Sequence, residues 1–366
     1  MAILGMNDLK RVGLPSAWDA SEVLKIRLAS GETFADFMRD LRAALPLINQ
    51  GLVSGEFGWI GRLVAFQNDA TVSYPVGTNA SGVQPSSEYA DPIPYRGKVS
   101  GHMLPIQPWE RALGWTMQGL RKSSTQQLDA DVRSAVTDIK LKWQVDALQR
   151  FFQIEADTVG GSGKSPGFAD GGLTIADYAP PPSPRGEKFD TTHMHYLRYA
   201  ALDDATVRAA IYHLWEHGHR KPYSIIASEA DRSTWAGLTG WIKPAVPGVQ
   251  IASTETRALS PDLTPYDGYY DSGELGLAQV LFSPLVPAGY FGVYKEYNTL
   301  DPRNPLRVRW DVNLGVGWQL WPGRDFGKRA LAMFYTEYGV GIGEDRTNGV
   351  LVYIAASGSY VTPTIG

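Results

Sequence analysis

Residues 123–158 read SSTQQLDADVRSAVTDIKLKWQVDALQRFFQIEADT, with no proline or glycine. Leu128, Val132, Ala135, Ile139, Val145, Leu148 and Phe152 fall on one helical stripe, with a slip near Lys142. Ser123 and Gln126 have capping-box spacing. The pattern predicts one helix from about Ser124 to Thr158, roughly 45–50 Å long at ~1.5 Å per residue. A rod of that length is a scaffold element by its dimensions.

Upstream, residues 1 to 30 lack sustained periodicity and read as an extended arm. A helix is expected over TFADFMRDLRAAL, with Phe34, Phe37, Met38, Leu41, Ala44 and Leu45 on one face, Thr33 as N-cap and Pro46 as its stop. GEFGWIGRLVAF, 55–66, reads as strand. Two further strands, 70–76 and 93–106, flank a Gly/Pro/Ser-rich tip at 77–88. Such a two-stranded arm has no core of its own and needs another surface to lie on.

Downstream, GGSGKSPGF at 160–168 imitates a phosphate loop, but Thr158 stands where its first glycine belongs and no helix pattern follows, so it reads as a turn. Residues 178–190 form a proline-stiffened loop. DDATVRAAIYHLWEHG reads as a helix capped by Asp203 or Asp204 and stopped by Gly218. A short helix or turn is expected at 228–241. Strands are expected at 222–228, 275–283, 290–297, 305–321, 329–342 and 349–355. GVGIG at 339–343 lacks the strand–turn–helix setting of a dinucleotide site. Glu344 and Asp345 look like turn residues.

The 366 residues allow two or three domains, or one large one. A net charge of −4 argues against tight phosphate-backbone binding. The absence of cysteine excludes disulfides and thiolate metal sites. No apolar run reaches the ~18 residues of a membrane span, and the first residues lack signal-peptide character. A soluble protein made in the cytoplasm is expected.

HLWEHGH, His213 to His219, contains the H-x-x-E-H pattern of inverzincin metalloproteases, and His193 and His195 lie just upstream. Val207, Ile211 and Leu214 set the buried helix face. His213 and His217 then share a flank and Glu216 points away from the core. Two histidines at i and i+4 can share a metal, with a third ligand from His193 or His195. Three fixed residues also arise readily by chance, and the helix dipole alone favours histidine in a last turn. The cluster therefore reads first as structural or interface histidines, then as a structural or catalytic metal site. No catalytic residue or cofactor is assigned.

The order of parts is arm, short helix, long two-stranded loop, uninterrupted helix, mixed α/β region and returning strands. It resembles the major capsid protein of tailed bacteriophages, an α+β protein of the Hong Kong 97-type coat fold. LVPAGYFGVYKEYN and RALAMFYTEYGVGIGEDRTNGVLVYIA look like closing strands of such coats. The resemblance implies an N-arm with the short helix (1–52), an E-loop (53–106), a peripheral domain with its spine helix (107–157), an axial domain (158–295), returning peripheral strands (296–345) and a final axial strand (346–366).

It further implies self-assembly into pentamers and hexamers, as a virion capsid built in the host cytoplasm. The shell would enclose double-stranded DNA without sequence-specific binding, with a portal, decoration proteins and a separate scaffolding protein as partners, since no long helical leader precedes the arm. Glu88, Arg96, Lys98, Arg303, Arg324 and Asp325 are the expected assembly contacts. Some coats join an E-loop lysine to an asparagine; Lys98 has Asn304, Asn313 and Asn348 as conceivable partners, but no motif pairs them and no cross-link is expected. An encapsulin-type nanocompartment shell is the alternative, and a zinc hydrolase using His213, Glu216 and His217 the second. Histidines at a subunit contact would make assembly pH-sensitive.

Overall fold

The computed structural model describes residues 27–54, 59–76, 98–156, 165–169, 179–243, 267–322 and 329–366. The elements are α1 (Phe34–Ser54), α2 (Ile60–Leu63), β1 (Val64–Gln67), β2 (Thr71–Val76), β3 (Lys98–Met103), β4 (Gln107–Thr116), α3 (Met117–Lys122) and the long α4 (Thr125–Phe152). After these come β5 (Tyr196–Tyr199), α5 (Asp204–Glu216), β6 (Tyr223–Ser228), α6 (Arg232–Ala236), β7 (Trp241–Ile242) and β8 (Gly268–Asp271). The chain closes with β9 (Leu277–Ser283), β10 (Tyr290–Lys295), β11 (Leu306–Trp310), β12 (Gln319–Pro322), β13 (Arg329–Ile342) and β14 (Val350–Ile354). Among the described residues no helix is long and apolar enough to cross a membrane.

The chain divides into two compact units. One gathers the described residues of 1–53, 108–143 and 311–337; the other gathers those of 54–107, 144–310 and 338–366. Helix α4 and strand β13 each contribute to both.

In the first unit, Phe34 and Phe37 pack edge-on against Trp115, at 5.4 and 6.3 Å between ring centroids. Leu128, Val132, Ala135 and Ile139 of α4 are buried. Helix α1 does not stop at Pro46 but runs on to Ser54. Proline removes one backbone donor, yet the next turn is pinned from outside. Asn49 donates to the Trp318 carbonyl and accepts from the Trp318 N–H, both at 2.8 Å.

In the second unit, a seven-stranded mixed sheet has the order β5-β14-β10-β6-β9-β8-β7. Strand β6 is buried along its whole length. Helix α5 covers the sheet with Val207, Ala210, Ile211 and Leu214, which join Ile225, Val280, Val293, Val352 and Trp235 in one core. Strand β1 pairs in parallel with β11, which pairs antiparallel with β13, Leu306 opposite Ile342. Strands β2 and β3 form a two-stranded sheet of their own, Thr71 opposite Met103 and Val76 opposite Lys98. Its base is seated by Val72 and Leu104 against Ala169.

The structure corrects three further expectations. Residues 55–66 are not one strand: 60–63 is a helical turn and β1 begins at Val64. The carbonyls of Gly61 and Val64 are taken by the N–H of Leu300 (2.6 Å) and by the Asn304 amide (2.9 Å), which curls the segment. The long helix starts after Ser124, whose Oγ accepts from Gln127 N–H, and ends at Phe152. There the Phe152 carbonyl accepts from Tyr360 Oη (2.7 Å) and the Gln153 carbonyl from Tyr196 Oη (2.8 Å). Tertiary acceptor capture, not proline or glycine, ends the helix. Strand β4 was not expected, and 311–318 turns instead of continuing as strand, with Asp311 accepting from the N–H of Asn313 and Leu314.

The slip near Lys142 also has a structural meaning. From Ile139 the buried positions advance in fours, through Trp143, Ala147 and Phe151. At 100° per residue each step rotates the apolar stripe by about 40°. Phe151, wholly buried, packs edge-on against Phe152, Phe168 and Tyr294 at 5.3–5.8 Å. Phe151→Ala is expected to cost about 3–5 kcal/mol, read as a lowered urea midpoint with an unchanged slope.

His102 on β3 is buried and bonds through Nε2 to the Ile342 carbonyl at 3.0 Å. Burial, with lesser contributions from Arg346, Arg150 and Arg307, pushes its pKa from 6.5 down to about 4, against the Ile342 bond, which raises it. A pKa depressed in the fold means full stability above pH 6.5 and progressive loss between 6.5 and 4, as the unfolded chain takes up the proton first. The loss amounts to up to about 3 kcal/mol. Urea titrations of the purified chain at pH 7.5 and 4.5 check this; His102→Gln is expected to flatten that part of the profile.

Candidate functional site

Four histidines converge in the second unit. His195 immediately precedes β5 and is fixed by its backbone: its N–H donates to the Ala169 carbonyl at 2.6 Å, and its carbonyl accepts from Leu351 N–H at 2.8 Å. His213 and His217 come from the end of α5. That helix is capped by Asp203, which accepts from Thr206 N–H at 2.8 Å, and is ended by Gly218 at φ +91°. A Cβ at Gly218 would press on Pro184 of the covering loop.

Nε2 of His217 lies 2.9 Å from Nε2 of His193 and 2.9 Å from Nε2 of His195. Nδ1 of His195 lies 2.8 Å from the Gly349 carbonyl, to which it donates. Phe189 lies over His193 and His217, with ring centroids at 4.5 and 4.3 Å. His195 is fully buried and His193 is 15% exposed. Burial, and then the crowding of imidazoles, holds His195 and His217 well below the usual histidine pKa, and burial lowers His193 as well. All three rings are therefore neutral at pH 7, with lone pairs available.

The motif does not act as its spacing suggests. His213 turns its Nδ1 to Glu216, at 2.6 Å, while His217 turns to the upstream pair. Glu216 does not point away into solvent: its Oε1 lies 3.7 Å from His193 Nε2, because the loop at 179–195 folds over that flank. The set of H-x-x-E-H is thus split into two groups, His193–His195–His217 and His193–His213–Glu216, that share His193. Phe189 and Gly349 belong to the cluster without any signal in the sequence. His195 is wholly buried, whereas His193, His213 and Glu216 are partly exposed, at 15%, 25% and 14%.

Of the expected assembly residues, Glu88, Arg96, Arg324 and Asp325 lie outside the described residues, and Lys98 opens β3 opposite Val76. Arg303 is exposed; it pairs with both carboxylate oxygens of Asp301 at 2.9 Å and lies over the Tyr297 ring. Asn304 and Asn348 are buried within the fold. Asn348 accepts from Lys295 N–H at 2.7 Å, whereas Asn313 is exposed in a turn. Asp345 accepts from Thr347 and lies 3.3 Å from buried His219.

No family model and no curated protein matches the chain by sequence. Among solved structures, a chain of Mycobacterium phage Patience superposes over 93% of each chain with a TM-score of 0.64 at 15% identity. The mature capsid of bacteriophage PhiM1 covers 81% of this chain and 87% of its own, with a TM-score of 0.48 and 9% identity. The SrpI encapsulin complex of Synechococcus elongatus covers 83% and 89%, with a TM-score of 0.42 and 12% identity. The end-to-end match to the Patience chain joins a long helix, a separate hairpin arm and a seven-stranded sheet under one helix. The chain has the α+β Hong Kong 97-type coat fold.

Proposed function

We propose that this chain is the major capsid protein of a tailed bacteriophage, assembling through pentamers and hexamers into an icosahedral head around double-stranded DNA. The observation that carries the reading is the β2–β3 hairpin. Among the described residues these strands pair with no other strand. Its base is seated on this chain through Val72, His102 and Leu104; an isolated two-stranded sheet is marginal in water, so beyond that base the arm gains its surface from a neighbouring copy. Many such contacts around a closed shell give avidity without one strong bond. The net charge of −4 suits a wall that encloses DNA without gripping it.

Within this reading 1–52 is the N-arm with the short helix, 53–106 the E-loop, and 107–157 with 296–345 the peripheral domain. Residues 158–295 with 346–366 are the axial domain. A separate scaffolding protein, a portal and decoration proteins are the partners, and assembly takes place in the host cytoplasm. The chain acts as a structural subunit, not an enzyme.

Two experiments test the reading. Electron microscopy of the purified protein, expressed with and without a scaffolding partner, is expected to show capsomers or closed shells. Replacing 78–96 by a short turn should leave the circular dichroism and urea midpoint unchanged while abolishing shells. A persistent monomer in every condition, or a tip-deleted variant that closes shells as well as the parent, overturns it. Shells that enclose a dedicated protein and never DNA favour the encapsulin alternative. Arg303→Ala is expected to cost the isolated subunit about 1 kcal/mol or less, because the Arg303 side chain is 65% exposed although Asp301 is only 12% exposed; a fall in shell yield in that variant then reports a contact between subunits.

A further inference from the structure

The three Nε2 atoms that meet at His217 pose a problem of proton count. A neutral imidazole carries a single N–H. His195 commits its proton to the Gly349 carbonyl through Nδ1, which leaves its Nε2 a bare acceptor. His217 has at most one Nε2 proton, yet faces Nε2 atoms of two rings at 2.9 Å. If that proton goes to His195, the contact with His193 has none aimed along it. If His217 carries its proton on Nδ1, two bare nitrogens face each other across its 2.9 Å contact with His195. No arrangement of neutral tautomers satisfies the cluster by hydrogen bonding alone.

We propose that His193, His195 and His217 form a site for one divalent transition-metal ion of the zinc type, bound through their three Nε2 atoms. A cation at the meeting point accepts all three lone pairs at once. Nitrogen ligands at 2.0–2.1 Å from tetrahedral zinc stand about 3.3 Å apart, so each 2.9 Å gap has to open by only a few tenths of an ångström. The Gly349 carbonyl supplies the outer hydrogen bond that fixes a ligating histidine in its tautomer. Glu216, beside His193 and steadied by His213, places a negative charge next to the ion. Phe189 covers two of the rings and shields the site.

The ion would fasten three separate pieces of chain: the loop carrying His193, the end of α5 carrying His217 and, through His195 and Gly349, the start of β14. Its role is structural within the unit, so it is measured on the unassembled subunit and does not depend on shell formation.

The test is a titration of the full chain, stripped with chelator and desalted, with Co²⁺ and then Zn²⁺. The expected result is one equivalent of Co²⁺ per chain with visible d–d absorption, displaced by one equivalent of Zn²⁺, and a thermal midpoint raised by zinc and lowered by chelator. His217→Ala is expected to weaken binding by more than about 100-fold, because it removes a ligand and not only an outer partner. Should that variant fail to fold, His193→Gln, on the loop and partly exposed, carries the same expectation with unchanged circular dichroism. His213→Gln is expected to retain one equivalent within about 10-fold of the parent affinity. Absence of saturable binding at micromolar metal overturns the proposal. So does undiminished binding in His193→Gln, or a loss in His213→Gln as large as in His193→Gln, which would place the ion in the other histidine group.

Discussion

The last turn of the long helix organises the second unit. Arg150 is buried there and donates to the carbonyls of Glu155, Ser165 and Pro166. Phe151 and Phe152 beside it enter an aromatic cluster with Phe168, Tyr290 and Tyr294. A buried guanidinium is tolerable only with hydrogen-bond acceptors around it, and the short segment 165–169 supplies two of the carbonyls that Arg150 meets. Arg346 grips the same segment through the carbonyls of Gly167 and Phe168. Two buried arginines thus hold one strip of backbone, and the base of the hairpin arm rests on that strip through Ala169.

The histidine cluster inherits its placement from this clamp. The Ala169 carbonyl holds His195, and the Gly349 carbonyl fixes its ring. His217 arrives independently, at the end of a helix whose position is set by Val207, Ile211 and Leu214 against the sheet. The cluster therefore joins residues positioned by two different structural causes, and neither cause is local to the histidines.

Much of the fold was legible because it rests on local periodicity. The long helix, α5 with its Asp203 cap and Gly218 stop, strand β6 and strand β13 all carry strong patterns. Failures occurred where a distant partner overrides a local signal. Pro46 does not end α1 because Asn49 is held by Trp318. Residues 60–63 form a helical turn because Leu300 and Asn304 claim the Gly61 and Val64 carbonyls. For the site, the residue types were visible in HLWEHGH and THMHY, but their grouping was not. Helical geometry paired His213 with His217 and turned Glu216 outward, since it had no knowledge of the loop that folds over that flank. Only the tertiary path of 179–195 decides which nitrogens meet.

GVGIG, which resembles a fragment of a nucleotide-binding loop, has a different use. At Gly339 a Cβ would overlap the Pro105 carbonyl, and at Gly341 it would strike the Leu104 side chain and come within 2.7 Å of Ser165 Oγ. These alternate residues give one side of β13 a bare backbone surface on which the chain leaving β3 lies directly. Side chains elsewhere in the sheet can trade volume with one another as a sequence drifts. At Gly339 nothing can be traded, because the contact is backbone against backbone. Among diverging relatives of this fold, such positions are where substitution is expected to be slowest, although they bear no chemistry at all.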